Sequence, residues 1–247
     1  MKDIYLGLKF SFSYFSTIPV SFKESDNLSK REVLSYMLLF FPIVGFTIGS
    51  ITILIFKLFH HFGWYGAVIS AVIYMMLYGF IHTEAIIDVI DGIYANYCGK
   101  DSYKIVKEPT VGAMGVLYAF GFMIIKISTI VYIFEHNLLS EFISVLIVSR
   151  LSLIVLIDTL DFKSSFITTL KKSLTPIYLI GSFVISMIIG TLLTPFFIIM
   201  VVFGFILSFI ISIYISKRLG FINGDVLGTT LEGVEILLLF LIVVFML

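Results

Sequence analysis

Charged residues are scarce in this chain of 247 residues. Only 13% of the residues are Asp, Glu, Lys or Arg, whereas 60% are hydrophobic. A soluble domain carries roughly a quarter charged residues, so this scarcity excludes a soluble globular protein and indicates an integral membrane protein. A single cysteine, Cys98, excludes an internal disulfide, and a formal net charge of zero argues against nucleic acid as a partner.

Long apolar runs predict an all-α fold, a polytopic helical bundle in the lipid bilayer. Runs long enough to cross a hydrocarbon core of ~30 Å lie at residues 34–56, 64–80, 114–134, 138–160, 176–193, 195–215 and 228–247. Residues 1–20 are also apolar, but Lys9 interrupts them and Pro19 ends them, so they predict an interfacial helix rather than a cleaved signal. We expect residues 1–247 to form a single integral membrane domain.

Lys and Arg are unevenly distributed among the predicted loops. They concentrate before the first span and in the loops that follow the second, fourth and sixth spans, whereas the intervening loops hold only Lys57. By the positive-inside rule, the N-terminus is then cytoplasmic and the C-terminus lies outside.

Two groups of acidic residues stand at the ends of apolar runs: Glu84, Asp88 and Asp91 in the first, and Asp225, Glu232 and Glu235 in the second. Within each group the spacing places carboxylates on one face of a helix. Converging carboxylates repel one another and are costly to desolvate, so a divalent metal among them is the simplest stabilising partner. Both groups are expected at the cytoplasmic face, where they would form one composite site.

Lys126 and Arg150 lie inside predicted spans. A charge at that depth usually faces the bundle interior or a water-filled cavity and finds a partner there. Inward cations together with metal-binding carboxylates indicate a site for pyrophosphate or phosphoryl transfer. A structural ion pair with a neighbouring helix is the alternative interpretation of both residues.

The string H-x-E-x3-D-x2-D-G at residues 82–92 is similar to a signature of the cobalamin-5'-phosphate synthase family, the adenosylcobinamide-GDP ribazoletransferases. The resemblance runs the length of the chain. It also takes in FSTIPV at residues 15–20, FPIVG at 41–45, Gly112 and Gly115, Lys126, Ser149 with Arg150, and GDVLG at 224–228 with Glu232 and Glu235.

The resemblance implies a Mg²⁺-dependent membrane enzyme that joins adenosylcobinamide-GDP to α-ribazole or α-ribazole 5'-phosphate and releases GMP. It further implies a multi-pass protein of the bacterial cytoplasmic membrane with its active site facing the cytoplasm. Within this interpretation the expected metal ligands are Glu84, Asp88 and Asp91. The expected catalytic residues are Asp225, Glu232, Glu235, Arg150, Lys126 and His82. The expected substrate-binding residues are Lys104, Lys107, Glu108 and Arg150.

The chain departs from the family pattern at several positions. Glu84 stands where the family usually has Asp, Ala85 where it has Gly, and residues 107–110 read KEPT in place of K-D-S-R. The changes to Glu keep a carboxylate, whereas the absent Arg removes a bidentate phosphate contact that Lys104 or Lys107 replaces only as a point charge. The role of His82 stays open between substrate contact and ordinary hydrogen bonding, because on a regular helix its side chain points away from Glu84.

Two other functions compete with this one. Residues 88–95 match the first half of the CDP-alcohol phosphotransferase motif, but Asn96 replaces its Arg and its second half is absent. An anion transporter could use Lys126 and Arg150, although such a site is expected near the midplane between repeated halves, and the sequence has no such repeat. The Gly45-x3-Gly49 motif predicts close packing between two helices. These helices could belong to one chain or to two copies of it, so a homo-oligomer is also compatible with the motif.

The charge distribution predicts which side of the membrane the basic loops occupy. In a Cys98→Ser background, Lys104→Cys and Lys217→Cys should resist a membrane-impermeant maleimide in intact cells and react in inverted vesicles. Lys57→Cys, in a predicted outer loop, is the matched control and should react in intact cells. Labelling of either of the first two cysteines from outside would contradict the proposed orientation.

Overall fold

The computed structural model describes residues 2–245. Every regular element in this range is helical. The α-helices are α1 (Lys2–Phe15), α2 (Arg31–Leu39), α3 (Phe41–Phe59), α4 (Trp64–Leu77), α5 (Ile81–Tyr97), α6 (Ser102–Ile105), α7 (Ala113–Glu135), α8 (Leu139–Thr159), α9 (Ser165–Ser173), α10 (Pro176–Leu193), α11 (Phe197–Leu219) and α12 (Gly224–Phe245), and a 3-10 turn at His60–Phe62 follows α3.

Six segments of the described chain are long and apolar enough to cross a membrane. They are Phe41–Phe62, Ala113–Glu135, Leu139–Thr159, Pro176–Leu193, Phe197–Leu219 and Gly224–Phe245. A seventh crossing is possible if α4 and α5, which meet at 76°, count as one broken span. The predicted polytopic helical bundle is therefore confirmed.

The N-terminal segment forms α1, which ends at Phe15, ahead of Pro19. It packs against α2, where Gly7 lets the two backbones approach at Tyr36. Its interfacial position stays a prediction. Met1, at the start of this segment, and residues 246 and 247, at the end of the last predicted span, lie outside the described residues.

The first predicted span, 34–56, is not one helix. Its N-terminal part belongs to α2, and a new helix begins at Phe41 with Pro42 in its first turn. Proline has no N–H to donate to the preceding turn, so the hydrogen-bond ladder is interrupted here although hydrophobicity continues. The membrane-crossing helix consequently begins at Phe41.

The second predicted span, 64–80, also differs from the observed helices. The helix α4 has 14 residues, about 21 Å at 1.5 Å per residue, which is shorter than a bilayer core of ~30 Å. The chain then turns sharply, with φ of +67° at Gly79 and +54° at Phe80. This turn starts α5 in a new direction and places the beginning of α5, with His82, inside the bundle.

The helix α8 forms the centre of the bundle. In its apolar window 83% of the residues are buried, compared with 17% for α10. It packs against α3, α11 and α12. The peripheral α10 is therefore left to face lipid, whereas α8 can carry polar side chains that only the protein interior contacts.

The contact between α3 and α8 depends on two glycines. A Cβ added to Gly45 would lie 2.5 Å from the backbone oxygen of Leu146 and 2.8 Å from Cδ of Arg150. At Gly49 it would press on Leu146 and Ile143. The predicted packing role of this Gly-x3-Gly motif is thereby confirmed within one chain.

We predict that Gly45→Ala destabilises the protein, because a methyl group at this backbone contact forces α3 and α8 apart and overpacking typically costs ~1–3 kcal/mol. Gly121→Ala in α7 is the matched control, since nothing lies within 4 Å of its added Cβ. Thermal unfolding in detergent should show a lower midpoint for Gly45→Ala and an unchanged or higher one for Gly121→Ala. Equal midpoints would contradict the close packing.

Candidate active site

The first acidic group lies along α5. Glu84 is exposed in the first turn of the helix, and Asp88 and Asp91 are half-buried. The predicted shared face is thus present, but its members differ in their surroundings. Asp91 has backbone partners, whereas Glu84 and Asp88 present carboxylates towards the start of α12.

Asp91 holds the N-terminus of α7. Its two carboxylate oxygens accept the backbone N–H groups of Gly112 at 2.6 Å and of Gly115 at 2.9 Å. A carboxylate at this position satisfies orphan N–H groups and interacts favourably with the helix dipole. A Cβ on either glycine would meet this carboxylate, which explains why glycine stands at both positions. The metal-ligand role of Asp91 stays a prediction beside this observed one.

The helices α5 and α12 run antiparallel and in close contact. Gly228 lies against Ala85 and His82, and two residues earlier Val226 belongs to the same hydrophobic cluster as Val89 and Ile93. This register brings Asp225 towards Glu84 and Asp88, close enough for their charges to act on one another. The two acidic groups therefore meet through Asp225.

Asn223 fixes the position of Asp225. Its side-chain amide N–H donates to the Asp225 carboxylate at 2.6 Å, and its carbonyl oxygen accepts the N–H of Val226 at 3.1 Å. The second contact caps the start of α12. Asn223 was not predicted from the sequence, although an Asn just before the acidic start of a helix is a recognisable capping signal.

The other two acids of the second group lie deeper in the bundle. Lys126 of α7 contacts Glu232 at 2.5 Å and Glu235 at 2.7 Å, and Arg150 of α8 pairs with Glu235. The side chains of all four residues are at most 2% exposed. These residues form a charge-balanced group that we call the buried ion cluster.

Neutral polar groups complete the buried ion cluster. The Tyr74 hydroxyl donates to Glu235 at 2.6 Å and the Ser149 hydroxyl at 3.0 Å, while Lys126 donates to the Tyr78 hydroxyl at 3.4 Å. The sequence predicted that Lys126 and Arg150 face the interior, either as part of a catalytic site or, alternatively, in a structural ion pair. The contacts match that alternative. Catalytic roles for these four charged residues stay predictions.

His82 lies between the buried ion cluster and Asp225. It is 4% exposed, its ring stacks on Tyr78 at 5.6 Å, and its Nε2 has no hydrogen-bond partner within the described residues. It lines a cavity of about 170 Å³ together with Ala85, Asp225 and Gly228, which we call the histidine cavity. A buried nitrogen without a hydrogen-bond partner is costly, which sets His82 apart from an ordinary core residue.

A second cavity, of about 540 Å³, adjoins the first and contains Lys107, Lys163, Tyr103 and Asp225. We call it the lysine cavity. Of Lys104, Lys107 and Glu108, which were expected to bind substrate, only Lys107 lines this cavity. Lys104, in α6, and Glu108, in the loop that follows it, are exposed outside the cavity. Lys163 was not predicted, because nothing in its local sequence marks it and only the fold brings it to Lys107.

The donor set fits Mg²⁺ only in part. Among residues 2–245, no three His, Cys, Asp or Glu side chains are arranged to hold a metal ion. Mg²⁺ nevertheless prefers carboxylate oxygens and is usually bound by one or two of them, with waters and substrate phosphates as the other ligands. Glu84 and Asp88 have the right chemistry for such a site, in which the substrate would complete the ligand set.

Comparisons with known proteins agree over nearly the whole chain. A family model described as cobalamin-5-phosphate synthase matches residues 7–243. Proteins named adenosylcobinamide-GDP ribazoletransferase from Clostridium perfringens strain ATCC 13124, Desulforamulus reducens and Thermoanaerobacter pseudethanolicus are 27%, 26% and 28% identical. The alignments cover 95%, 97% and 93% of this chain and 96%, 96% and 93% of the respective relatives. No solved structure matches.

We predict that Glu235→Gln strongly destabilises the protein. The change leaves Lys126 and Arg150 with one carboxylate between them, and breaking a buried ion pair typically costs ~3–5 kcal/mol. Glu135→Gln, at the exposed end of α7, is the control. Denaturant unfolding in detergent should show a large loss of stability for Glu235→Gln alone. Equal loss in both variants would contradict the structural role of the buried ion cluster.

Proposed function

Since this chain belongs to the cobalamin-5-phosphate synthase family, we propose that it is an adenosylcobinamide-GDP ribazoletransferase. In this reaction a ribose hydroxyl of α-ribazole, or of its 5'-phosphate, attacks the corrinoid-side phosphorus of adenosylcobinamide-GDP. A new O–P bond forms, the bridging P–O bond breaks, and GMP leaves with the electrons of that bond. The names of the curated relatives support this choice of substrates.

The observation that carries the proposal is that α5 and α12 meet beside two adjoining cavities. Asp88 and Asp225 approach each other there, and Tyr14, Ile167, Gly224 and Asp225 line both cavities. This region presents carboxylates, which can hold a metal ion, and the cation Lys107. Both suit the binding of a diphosphate, because phosphoryl transfer depends on positioning and charge neutralisation. An apolar site without such cations would not stabilise the departing phosphate.

We assign the roles as follows. Asp225, oriented by Asn223, accepts the proton of the attacking hydroxyl. His82, which lines the histidine cavity, contacts the substrate there. Lys107 stabilises the negative charge that develops on the leaving GMP.

Magnesium is part of this proposal. Glu84 and Asp88 would hold Mg²⁺, which when bound neutralises charge on the diphosphate oxygens. Asp91 supports the same face indirectly, by fixing the start of α7. We also propose that the site faces the cytoplasm of a bacterial cell, which the basic loops around Lys107 and Lys163 support.

GMP release by the purified protein from adenosylcobinamide-GDP and α-ribazole tests the activity. We predict that Asp88→Asn and Asp225→Asn each lower turnover by at least ~10²-fold, because each removes an electrostatic element of the site. Asp158→Asn, an exposed acid of α8, is the control and should retain wild-type turnover. Chelation with EDTA should abolish GMP release, and added Mg²⁺ should restore it.

A double-mutant cycle tests whether Asp88 and Asp225 act as one unit. The double variant should lose little more activity than either single variant, because residues of one catalytic unit have non-additive effects. Losses in kcat/KM that simply multiply would show that the two carboxylates work independently. Absence of GMP release by the wild-type protein under all metal conditions would contradict the proposed reaction itself.

A further inference from the structure

Two lysines, Lys107 and Lys163, line the lysine cavity. The proposed reaction assigns a role to Lys107 and none to Lys163. Lys107 follows α6 and Lys163 precedes α9, and both side chains lie over the ring of Tyr103, with Nζ at 4.2 Å and 3.9 Å from its centroid. The two ammonium nitrogens are thus separated by no more than about 8 Å, the sum of these distances. Neither lysine has a carboxylate within salt-bridge distance among residues 2–245.

The backbone at Lys163 and the ring of Tyr103 are held in place by their neighbours. The Lys163 N–H donates to the carbonyl of Ile222 at 2.7 Å, and the Tyr103 hydroxyl contacts the carbonyl of Lys163 at 3.4 Å. Phe221 packs edge-on against Tyr103 at 5.1 Å. Two neighbouring ammonium groups that lack a counter-charge repel each other, and an anion bound between them removes this repulsion. A phosphomonoester, with nearly two negative charges and several acceptor oxygens, matches such a pair.

Aromatic side chains line another wall of the same cavity. Tyr14 of α1 and Phe166 of α9 stack at 5.2 Å with an interplanar angle of 29°, and both line the lysine cavity. Burial and the nearby Asp225 carboxylate raise the pKa of Tyr14, so its hydroxyl remains a neutral hydrogen-bond donor. Flat aromatic surfaces beside a phosphate site are the usual partners of a nucleobase.

We propose that the lysine cavity binds a nucleoside 5'-monophosphate group, with its phosphate between Lys107 and Lys163 and its base against Tyr14 and Phe166. The proposal rests on the proposed function, in which two molecules contain this group: the guanylyl half of adenosylcobinamide-GDP and the acceptor α-ribazole 5'-phosphate. Because the cavity shares Tyr14 and Asp225 with the histidine cavity, a group bound here lies directly beside the reacting centre.

Lys163→Gln tests the proposal, with Lys172→Gln, an exposed lysine of α9 outside the cavity, as the matched control. Binding of GMP and of inorganic phosphate to the purified wild-type protein is first measured by the shift in thermal unfolding temperature. Lys163→Gln should weaken this binding by at least ~10-fold, as expected for the loss of one charged hydrogen bond. Lys172→Gln should bind as the wild type does.

Steady-state kinetics then distinguish the two sources of the phosphate. If the cavity holds the acceptor, Lys163→Gln lowers kcat/KM for α-ribazole 5'-phosphate by at least ~10-fold and leaves that for α-ribazole unchanged. If it holds the guanylyl half, the KM for adenosylcobinamide-GDP rises by a similar factor with either acceptor, and inhibition by GMP weakens. Either pattern supports the proposal.

Unchanged ligand binding and unchanged kinetics in Lys163→Gln and in a Lys107→Gln, Lys163→Gln double variant would overturn it. The binding measurement does not require turnover. A wild-type protein that binds GMP through Lys163 but releases none from adenosylcobinamide-GDP would therefore refute the proposed reaction and leave the phosphate site intact. A protein that releases GMP normally in both variants would refute the phosphate site and the role assigned to Lys107, and would leave the proposed reaction intact.

Discussion

Lys126, Arg150, Glu232 and Glu235 carry four formal charges into the interior of an apolar bundle, and the arrangement of the helices around them follows from this constraint. A charge at that depth costs several kcal/mol unless an opposite charge and hydrogen-bond partners compensate it. The observed assembly provides both. The helices α7 and α8 bring the cations, α12 brings the acids, and α4 contributes the Tyr74 hydroxyl. Separation of these helices would leave each charge without its partner.

This constraint also places the candidate site. Once Glu232 and Glu235 are held in the interior, Asp225 must lie about 10 Å nearer the N-terminal end of α12, because it precedes Glu232 by seven residues of helix. The turn at Gly79 and Phe80 aims α5 at the same end. Asp225 therefore meets Glu84 and Asp88 where basic loops surround the bundle, and His82 lies between the two polar regions.

The sequence predicted those features that depend on composition and periodicity. Long apolar runs predicted the membrane bundle, and helical spacing predicted the acidic face of α5. The helix break before Pro42 and the turn at Phe80 were not predicted. Hydropathy is averaged over a window of residues and does not register a missing backbone N–H or a positive φ. The sequence did not predict the partners of Asp91 and Lys163. Each lies on another helix or loop, and only the assembled bundle brings them together.

The location of Glu232 and Glu235 on α12 has a consequence for biogenesis. This helix is the last of the described helices to be synthesised, and its two acids make its insertion as an isolated helix less favourable by a few kcal/mol each. Their counter-ions, Lys126 and Arg150, are already in place on helices made earlier. The partly synthesised bundle thus holds two uncompensated cations until α12 arrives, and the last helix inserts as a partner of the earlier ones. Insertion of α12 and closure of the buried ion cluster thus become a single event, so a chain truncated before α12 would keep Lys126 and Arg150 without their carboxylate partners.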